Sequence, residues 1–427
     1  MTNNNKKVLE QKENELSKAI DSRKEELFDL LASLIQFRTP NPPGANEIEA
    51  QDWVEKQLRE LDCEIDRWDA LPGRPNVVGK LKGKGDGPTV SLNSHIDVCE
   101  DKLLEAWSND PYDPVIKNGR MYGRGSSDMK SAMASFLFSL KLLKEHGIQL
   151  NGNVEVHSVI GEEAGEPGTR SAIERGYGGD FSIVGESSKA ENIVASIGVM
   201  TAKITIESPE TLHLVARKST INAGGGKSGG NCVEKMSQRI IPALTDLERQ
   251  WAVFKTHELV PPGACNINVF RMEGGSNSFI LPNRCDAYIT VTYLPNEKKA
   301  NVIREIEEHI QRSASVDAWL RENPPKVEWG PAEFPVEFAP CDVDVDSEPV
   351  HILRESIETT GRKAILGGRG AITDAGWYYT SGISSVVYGP GNIDQAHSVD
   401  EWVSLKDLTT HCKATTRFLL HYCGLAD

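Results

Sequence analysis

Val90-Ser91-Leu92-Asn93-Ser94-His95-Ile96-Asp97-Val98 is the stretch on which the fold and the chemistry of this chain depend. Its apolar start is typical of a buried strand, and it ends in an imidazole and a carboxylate two positions apart. Because side chains alternate along a strand, His95 and Asp97 are expected to point to the same face. A carboxylate beside a histidine fixes the tautomer and orientation of a metal-bound imidazole. Alone, the pattern is more often that of a structural histidine, so its weight depends on the rest of the chain.

Further acidic or imidazole residues stand near predicted strand ends or helix starts: Asp128, Glu162, Glu163, Glu186 and His397. Open α/β sheets place their ligands at the carboxyl ends of strands. Adjacent carboxylates repel one another and lose hydration at a cost unless a cation or a proton lies between them. Taken singly, Asp128 is more typical of a helix cap, and the Glu162-Glu163 pair is equally typical of a solvated acidic loop.

Taken together, two imidazoles and three carboxylates suit a pair of zinc-like ions with one bridging carboxylate. The predicted metal ligands are His95, Asp128, Glu163, Glu186 and His397. Glu162, next to a ligand, is placed to act as the general base. It would take a proton from the attacking metal-bound water and pass it to the leaving amine. These residues indicate a metal-dependent hydrolase.

Composition limits the class of protein and its partners. The 427 residues exceed one typical core, so two domains are expected. The net charge of −15 argues against nucleic acid or an anionic membrane surface as a partner. No apolar run approaches the ~18 residues needed to span a bilayer, and residues 1–7 lack the apolar segment of a secretory signal. Eight cysteines without paired spacing favour reduced thiols in a cytoplasmic protein.

The pattern of elements changes near residue 198. Before it, helices and buried strands follow one another as in an α/β domain, and this pattern resumes after residue 333. Between them, the order β-α-β-β-α-β predicts a small α+β domain. We therefore expect a first domain in two parts, 1–197 and 333–427, with a second domain inserted at 198–332.

Five blocks resemble the signature blocks of the M20 metallopeptidase and deacylase family, in the same order. They are Ser-His-Ile-Asp-Val at 94–98, Gly-Arg-Gly-Ser-Ser-Asp-Met-Lys at 123–130, Gly-Glu-Glu at 161–163, Gly-Glu at 185–186 and Ala-His at 396–397. The family includes acetylornithine deacetylase, succinyl-diaminopimelate desuccinylase, aminoacylase-1 and the glutamate carboxypeptidases. The resemblance implies an α/β catalytic domain of zinc-peptidase type, a mixed sheet flanked by helices, with an inserted α+β lid domain that forms a homodimer. The resemblance identifies the family with high specificity but does not identify the substrate.

The resemblance also implies a role for each residue. Two pairs would each bind one divalent ion: His95 with Glu186, and Glu163 with His397. Asp128 would bridge the ions, Asp97 would support the first histidine, and Glu162 would be the base. Zn²⁺ is the ion expected at both positions, with Co²⁺ or Mn²⁺ as alternatives. Glutamate at position 186 resembles the deacylase and carboxypeptidase branch more than the aminopeptidase branch.

In the lid domain the sequence departs from the family. His213 loosely matches a lid histidine that helps to hold the oxyanion across the dimer, and a surface histidine is the alternative interpretation. Many relatives carry an arginine that grips a substrate carboxylate where this chain has Thr292. Candidate substitute cations are Arg217, Lys218 and Arg369. The departures leave room for a substrate other than the common N-acyl amino acid.

We predict a hydrolase that cleaves the C–N bond of an N-acyl amino acid or a small peptide-like substrate. A hydrolytic deaminase or amidohydrolase of a small aromatic or xenobiotic amine or amide is the alternative on the same dimetal site. An inactive metal-binding scaffold would have lost a ligand or Glu162, and all are present. Gly226-Lys227-Ser228 lacks the first glycine of a phosphate loop, because Ile221 stands there. Cys99 has no partnered base for thiol catalysis and is expected to be a packing residue.

Overall fold

Two compact units make up the part of the chain that the structure, a computed structural model, describes: residues 3–44, 46–100 and 103–426. The first unit contains the chain up to Ala195, Cys341–Gly368 and the chain from Thr373 onward. The second contains Ser196–Pro340 and Arg369–Ile372. The second unit is therefore an insertion in the sequence of the first.

Helices and strands of both units follow one another in chain order. The helices are α1 (Asn3–Ser22), α2 (Lys24–Ile35), α3 (Glu47–Glu60), α4 (Lys130–Glu145), α5 (Pro167–Glu174), α6 (Cys232–Lys235), α7 (Ile241–Phe254), α8 (Lys299–Ser315), α9 (Glu348–Glu358), α10 (Ala375–Thr380) and α11 (Leu405–Tyr422). The strands are β1 (Pro40–Asn41), β2 (Glu64–Leu71), β3 (Arg74–Leu81), β4 (Val90–His95), β5 (Val98–Cys99), β6 (Val115–Lys117), β7 (Arg120–Tyr122), β8 (Val154–Val159), β9 (Phe181–Val184), β10 (Asn192–Ser196), β11 (Gly198–Glu207), β12 (Asn266–Gly274), β13 (Arg284–Tyr293), β14 (Lys326–Trp329), β15 (Glu337–Phe338), β16 (Cys341–Asp342), β17 (Leu366–Arg369), β18 (Ser384–Val387) and β19 (Trp402–Ser404).

The first unit is built on a mixed sheet in the order β16-β10-β18-β9-β4-β8-β3-β2, with β17 beside β10. The four central strands β18, β9, β4 and β8 run parallel to one another. Every residue of β4, β8 and β9 is buried, as expected for parallel strands covered on both faces. The carboxyl ends of these four strands therefore meet at one edge of the sheet.

The predicted strand at residues 90–98 is interrupted in the structure. Strand β4 ends at His95, and β5 begins at Val98 and pairs in parallel with β1 rather than with the main sheet. Asp97 thus lies in the connection between two strands. Helix α4 begins two residues after Asp128 and is buried along most of its length.

The second unit is an antiparallel sheet in the order β12-β13-β11-β14, with β15 beside β11. Its elements follow in the order β11, α6–α7, β12, β13, α8, β14, in agreement with the predicted β-α-β-β-α-β order. The predicted α/β class with an inserted α+β unit is confirmed. Within the described ranges, no helix combines the length and the apolar character that crossing a bilayer requires.

Candidate metal centre

Three of the predicted ligands, His95, Glu163 and Glu186, lie at or just beyond the carboxyl ends of central strands, whereas Asp128 precedes α4. His95 is the last residue of β4, and Glu186 lies two residues beyond β9. Gly161, which begins the turn after β8, has φ +81°, a left-handed conformation that favours glycine. A Cβ on Gly185 would lie 2.3 Å from the Cβ of Ala132, so glycine lets this segment approach α4 closely. Both glycines of the Gly-Glu blocks therefore have a structural reason.

The imidazole of His95 is fully buried and faces three carboxylates. Its Nε2 lies 3.2 Å from Asp128 Oδ1, 3.1 Å from Glu186 Oε1 and 3.9 Å from Glu162 Oε2. Its Nδ1 lies 2.8 Å from the main-chain oxygen of Asp97. A neutral imidazole that donates Nδ1–H to this carbonyl keeps the Nε2 lone pair available for a metal ion.

His397 faces the other oxygen of Asp128. Its Nε2 lies 3.4 Å from Asp128 Oδ2 and 2.8 Å from Glu163 Oε2. The ring is 56% exposed, whereas the side chains of Asp128 and Glu163 are 9% and 5% exposed. Asp128 therefore offers one oxygen to each histidine, and His95 and His397, 302 positions apart in the sequence, share one site.

The electrostatics of this cluster fit divalent cations. Burial, and then the charge of Asp128, raise the pKa of Glu163 to about 7 despite the hydrogen bond from His397. Burial and the charge of Glu186 raise the pKa of Glu162 well above its usual range. Hydrogen bonds with Asp128 and Glu163 raise the pKa of His397 to about 10. The cluster thus concentrates carboxylates and imidazole nitrogens in a buried space, an arrangement that divalent cations would stabilise.

A second observation supports the same fit. Oε1 of the buried Glu163 has no hydrogen-bond partner among the described residues. A buried carboxylate oxygen without a partner is rare in folded proteins, and a bound ion is one of the few explanations for it. The donor set, imidazole nitrogens and carboxylate oxygens, is the one that Zn²⁺ and similar ions take.

Asp97 has a different contact from the expected one. Its Oδ1 lies 3.7 Å from His95 Nδ1, beyond hydrogen-bond distance, so its main-chain oxygen supports the ring instead. The carboxylate accepts hydrogen bonds from the backbone N–H groups of residues 161–163, at 2.9, 3.4 and 3.3 Å, and from Asn41 Nδ2 at 2.7 Å. Asp97 therefore fixes the turn that carries Glu162 and its neighbour.

Glu401 is absent from the predicted site residues. Its buried carboxylate accepts hydrogen bonds from Arg124 Nη1 at 2.8 Å and from the backbone N–H groups of Gly125 (3.1 Å), Ser127 (2.7 Å) and Asp128 (3.0 Å). It therefore holds the loop that presents Asp128. The sequence signal that could have found Glu401 is its place four residues after a predicted histidine ligand.

His213 and Thr292 belong to the second unit and are described by their contacts there. His213 is exposed; its Nδ1 accepts a hydrogen bond from Val215 N at 3.3 Å, and its ring stacks on Phe279. Thr292 Oγ1 donates to the main-chain oxygen of Ala264 at 2.6 Å and accepts from Asn266 N at 2.8 Å. Both hydrogen-bonding roles of the Thr292 hydroxyl are thus taken by the backbone. Threonine is also uncharged, so this position supplies no cation for a substrate carboxylate.

Sequence comparison finds relatives along almost the whole chain. The sequence profile described as peptidase family M20/M25/M40 matches residues 91–421. The chain is 41% identical over 416 residues to N-formyl-4-amino-5-aminomethyl-2-methylpyrimidine deformylase of Bacillus subtilis, covering 96% of this chain and 97% of the relative. The enzyme of the same name from Halalkalibacterium halodurans is 37% identical over 418 residues, with the same coverage.

Structure comparison gives the same architecture. A dinuclear metal-binding peptidase of family M20 from Bacillus subtilis superposes with a TM-score of 0.64, covering 95% of this chain and 99% of the other. The two sequences are 16% identical, so this likeness concerns the fold alone.

Proposed function

This chain belongs to peptidase family M20/M25/M40, and we propose that it removes the formyl group from a small N-formylated aminopyrimidine. Membership agrees with the predicted activity: the chain is a metal-dependent hydrolase that cleaves the amide C–N bond of an acylated small molecule. The observation that carries the substrate is the 41% identity, over 96% of the chain, to a deformylase of that class.

Five side chains would hold two divalent ions. His95 and Glu186 would bind one, Glu163 and His397 the other, with Asp128 shared between them, as their distances allow. We propose Zn²⁺ as the resident metal because the donors are imidazole and carboxylate. When bound, the ions would supply the positive charge that polarises the acyl oxygen and lowers the pKa of water.

Glu162 would move the proton of the reaction. Its carboxylate lies 3.9 Å from His95 Nε2, beside the proposed ligands, and burial and the charge of Glu186 raise its pKa, the direction that favours a carboxylate as proton acceptor. It would take a proton from the water that attacks the formyl carbon. As the C–N bond breaks, it would give that proton to the amine nitrogen, so that the free amine leaves with formic acid, which loses its own proton to solvent and becomes formate.

The residue at position 292 of the proposed lid domain favours a substrate without a carboxylate. The family resemblance implies an arginine that grips a substrate carboxylate where this chain has Thr292, and the Thr292 hydroxyl is bound to the backbone. A formylated aminopyrimidine carries no carboxylate and needs no such cation. The predicted N-acyl amino acid is thereby replaced as the leading candidate by an aromatic amide, the alternative considered from the sequence.

The direct test is a hydrolysis assay with matched substrates. Zinc-loaded protein would be given N-formyl-4-amino-5-aminomethyl-2-methylpyrimidine, the N-acetyl analogue of the same amine, and N-acetylornithine. We expect formate release from the first with a kcat/KM at least tenfold above that for either control. A higher kcat/KM for N-acetylornithine would contradict the proposed substrate while leaving the amide hydrolase in place.

Assembly and location are also part of this proposal. Residues 198–332 would act as the lid and dimerisation domain, with residues 1–197 and 333–427 forming the catalytic domain. His213 would help to hold the oxyanion from the lid, in line with its exposed position. The free thiols of all eight cysteines are in keeping with a cytoplasmic enzyme.

A further inference from the structure

Cys99 lies beside the metal centre although nothing in the predicted chemistry uses it. Its Sγ, one carboxylate oxygen of Glu163 and one ring nitrogen of His397 all lie within 4.8 Å of one another. One ion can therefore contact all three atoms with only a small movement of the side chains, since zinc bonds are about 2.0–2.3 Å long.

The backbone explains why this thiol faces the site. Cys99 ends β5, whose pairing with β1 places Asn41 opposite it. Asn41 is also the residue whose amide binds the Asp97 carboxylate. Asp97, which fixes the turn of residues 161–163, is therefore linked through Asn41 to the strand that carries the thiol.

The neighbouring carboxylate gives an independent indication that a ligand belongs here. The side chain of Glu163 is 5% exposed, and its Oε1 has no hydrogen-bond partner among the described residues. The other oxygen, Oε2, is occupied by His397 at 2.8 Å. A cation bound by the thiolate and by His397 would also satisfy the orphaned oxygen of Glu163.

We propose that Cys99 is a sulfur ligand of the ion held by Glu163 and His397. The inference rests on the proposed dimetal site and deepens it. On binding, the thiol would release its proton to solvent and its sulfur would donate an electron pair to the metal, with no change of oxidation state. The two ions would then differ in ligand chemistry, because the ion at His95 and Glu186 would have nitrogen and oxygen ligands.

This difference has a consequence for metal selectivity. Thiolate favours Zn²⁺ and other thiophilic ions, whereas carboxylate and water suit Mn²⁺. The Glu163–His397 position would therefore prefer Zn²⁺ over Mn²⁺ more strongly than the His95–Glu186 position does. Cys99→Ser, which offers oxygen in place of sulfur, would narrow that preference.

Cobalt substitution tests the sulfur contact without an activity measurement. The full chain would be freed of metal with a chelator, titrated with Co²⁺ and followed by absorption spectroscopy. We expect a near-ultraviolet sulfur-to-cobalt charge-transfer band in the wild type and in Cys63→Ser, the matched control that removes another buried thiol of the same unit. The band would be absent from Cys99→Ser and from Cys99→Val. The second variant shows that the loss of the band does not come from a folding defect particular to the first.

X-ray absorption of the zinc-loaded chain gives the second readout. A sulfur shell at about 2.3 Å from zinc in the wild type, lost in Cys99→Ser, would support the proposal. Two bound ions with oxygen and nitrogen shells alone would overturn the sulfur ligand and leave the proposed hydrolase standing. Failure of the wild type to bind any divalent ion would overturn both, so the two failures are distinguishable.

Discussion

Two adjacent glutamates of the same turn, Glu162 and Glu163, have different surroundings, and the different roles proposed for them rest on this difference. Glu163 lies 2.8 Å from the ring of His397 and has the geometry of a ligand. Glu162 lies 3.9 Å from His95 and is the more exposed of the two, at 13%. A carboxylate that lies beside the proposed ligands without their short contacts could exchange a proton with water, so the geometry is in keeping with Glu162 as the proposed base and Glu163 as the proposed ligand.

Glu162→Gln is predicted to separate catalysis from metal binding. The amide keeps the shape of the side chain but cannot accept a proton, so kcat should fall by about 10²–10⁴-fold, the usual contribution of a general base. Metal content, measured by elemental analysis, should stay at the wild-type value. Glu174→Gln, at an exposed glutamate of α5, is the control. Near-normal turnover of Glu162→Gln would remove the residue from the mechanism.

At the scale of elements, two of the turns that carry predicted site residues are each held by a buried carboxylate. The turn after β8 is held by Asp97 through three backbone N–H groups. The loop before α4 is held by Glu401 through three more and through Arg124. Neither carboxylate needs to touch an ion, because each fixes the backbone from which a ligand projects.

Glu401→Gln is predicted to weaken metal binding. The neutral amide gives up the negative charge that balances Arg124 and turns an N–H group toward backbone donors, so Asp128 would be held less firmly. The dissociation constant for Zn²⁺, measured by competition with a chelator, should rise by about 10–100-fold, as for other residues that orient metal ligands. Saturating Zn²⁺ should restore most of kcat.

The neighbouring Asp400→Asn is the matched control, because Asp400 binds the exposed Ser108 and not the Asp128 loop. It should leave the zinc dissociation constant unchanged. Equal zinc affinity of Glu401→Gln and the wild type would show that the loop holds its shape without this charge.

The sequence predicted the site residues that can be placed from their neighbours in the chain, and it missed the features that depend on contacts between distant residues. His95, Glu163 and Glu186 each follow a buried apolar run, so each could be placed at a strand end from its neighbours alone. Its place near His397 marks Glu401 as a candidate, but its contacts could not be predicted, because its partners lie 273 to 277 positions away in the chain. The break in the strand after His95 was also unpredicted, since it arises from the pairing of β5 with β1.

At the scale of the molecule, the second unit has an edge that favours assembly. Strand β12 pairs with β13 on one side and forms the edge of the sheet. Its side chains include Phe270 and Met272, which are 40% and 47% exposed. An edge strand with exposed apolar side chains is a template for pairing with another chain. We therefore propose this strand as the dimer contact of the lid.

Sedimentation velocity at micromolar concentration is predicted to show a dimer. Met272→Lys, which places a charge on the edge strand, should shift the protein toward the monomer. Ile116→Lys, at a 53% exposed residue of the first unit, should leave the dimer intact. A wild-type monomer under these conditions would contradict the proposed lid contact.

Titration of the metal-free chain with Zn²⁺, with amide hydrolysis followed at each addition, tests the central claim most directly. Removal of metal by a chelator should abolish turnover, because no divalent charge would then polarise the acyl oxygen or lower the pKa of water. Added Zn²⁺ should restore turnover as the site fills, with saturation at two ions per chain. Unchanged hydrolysis by protein shown to contain no metal would contradict the account.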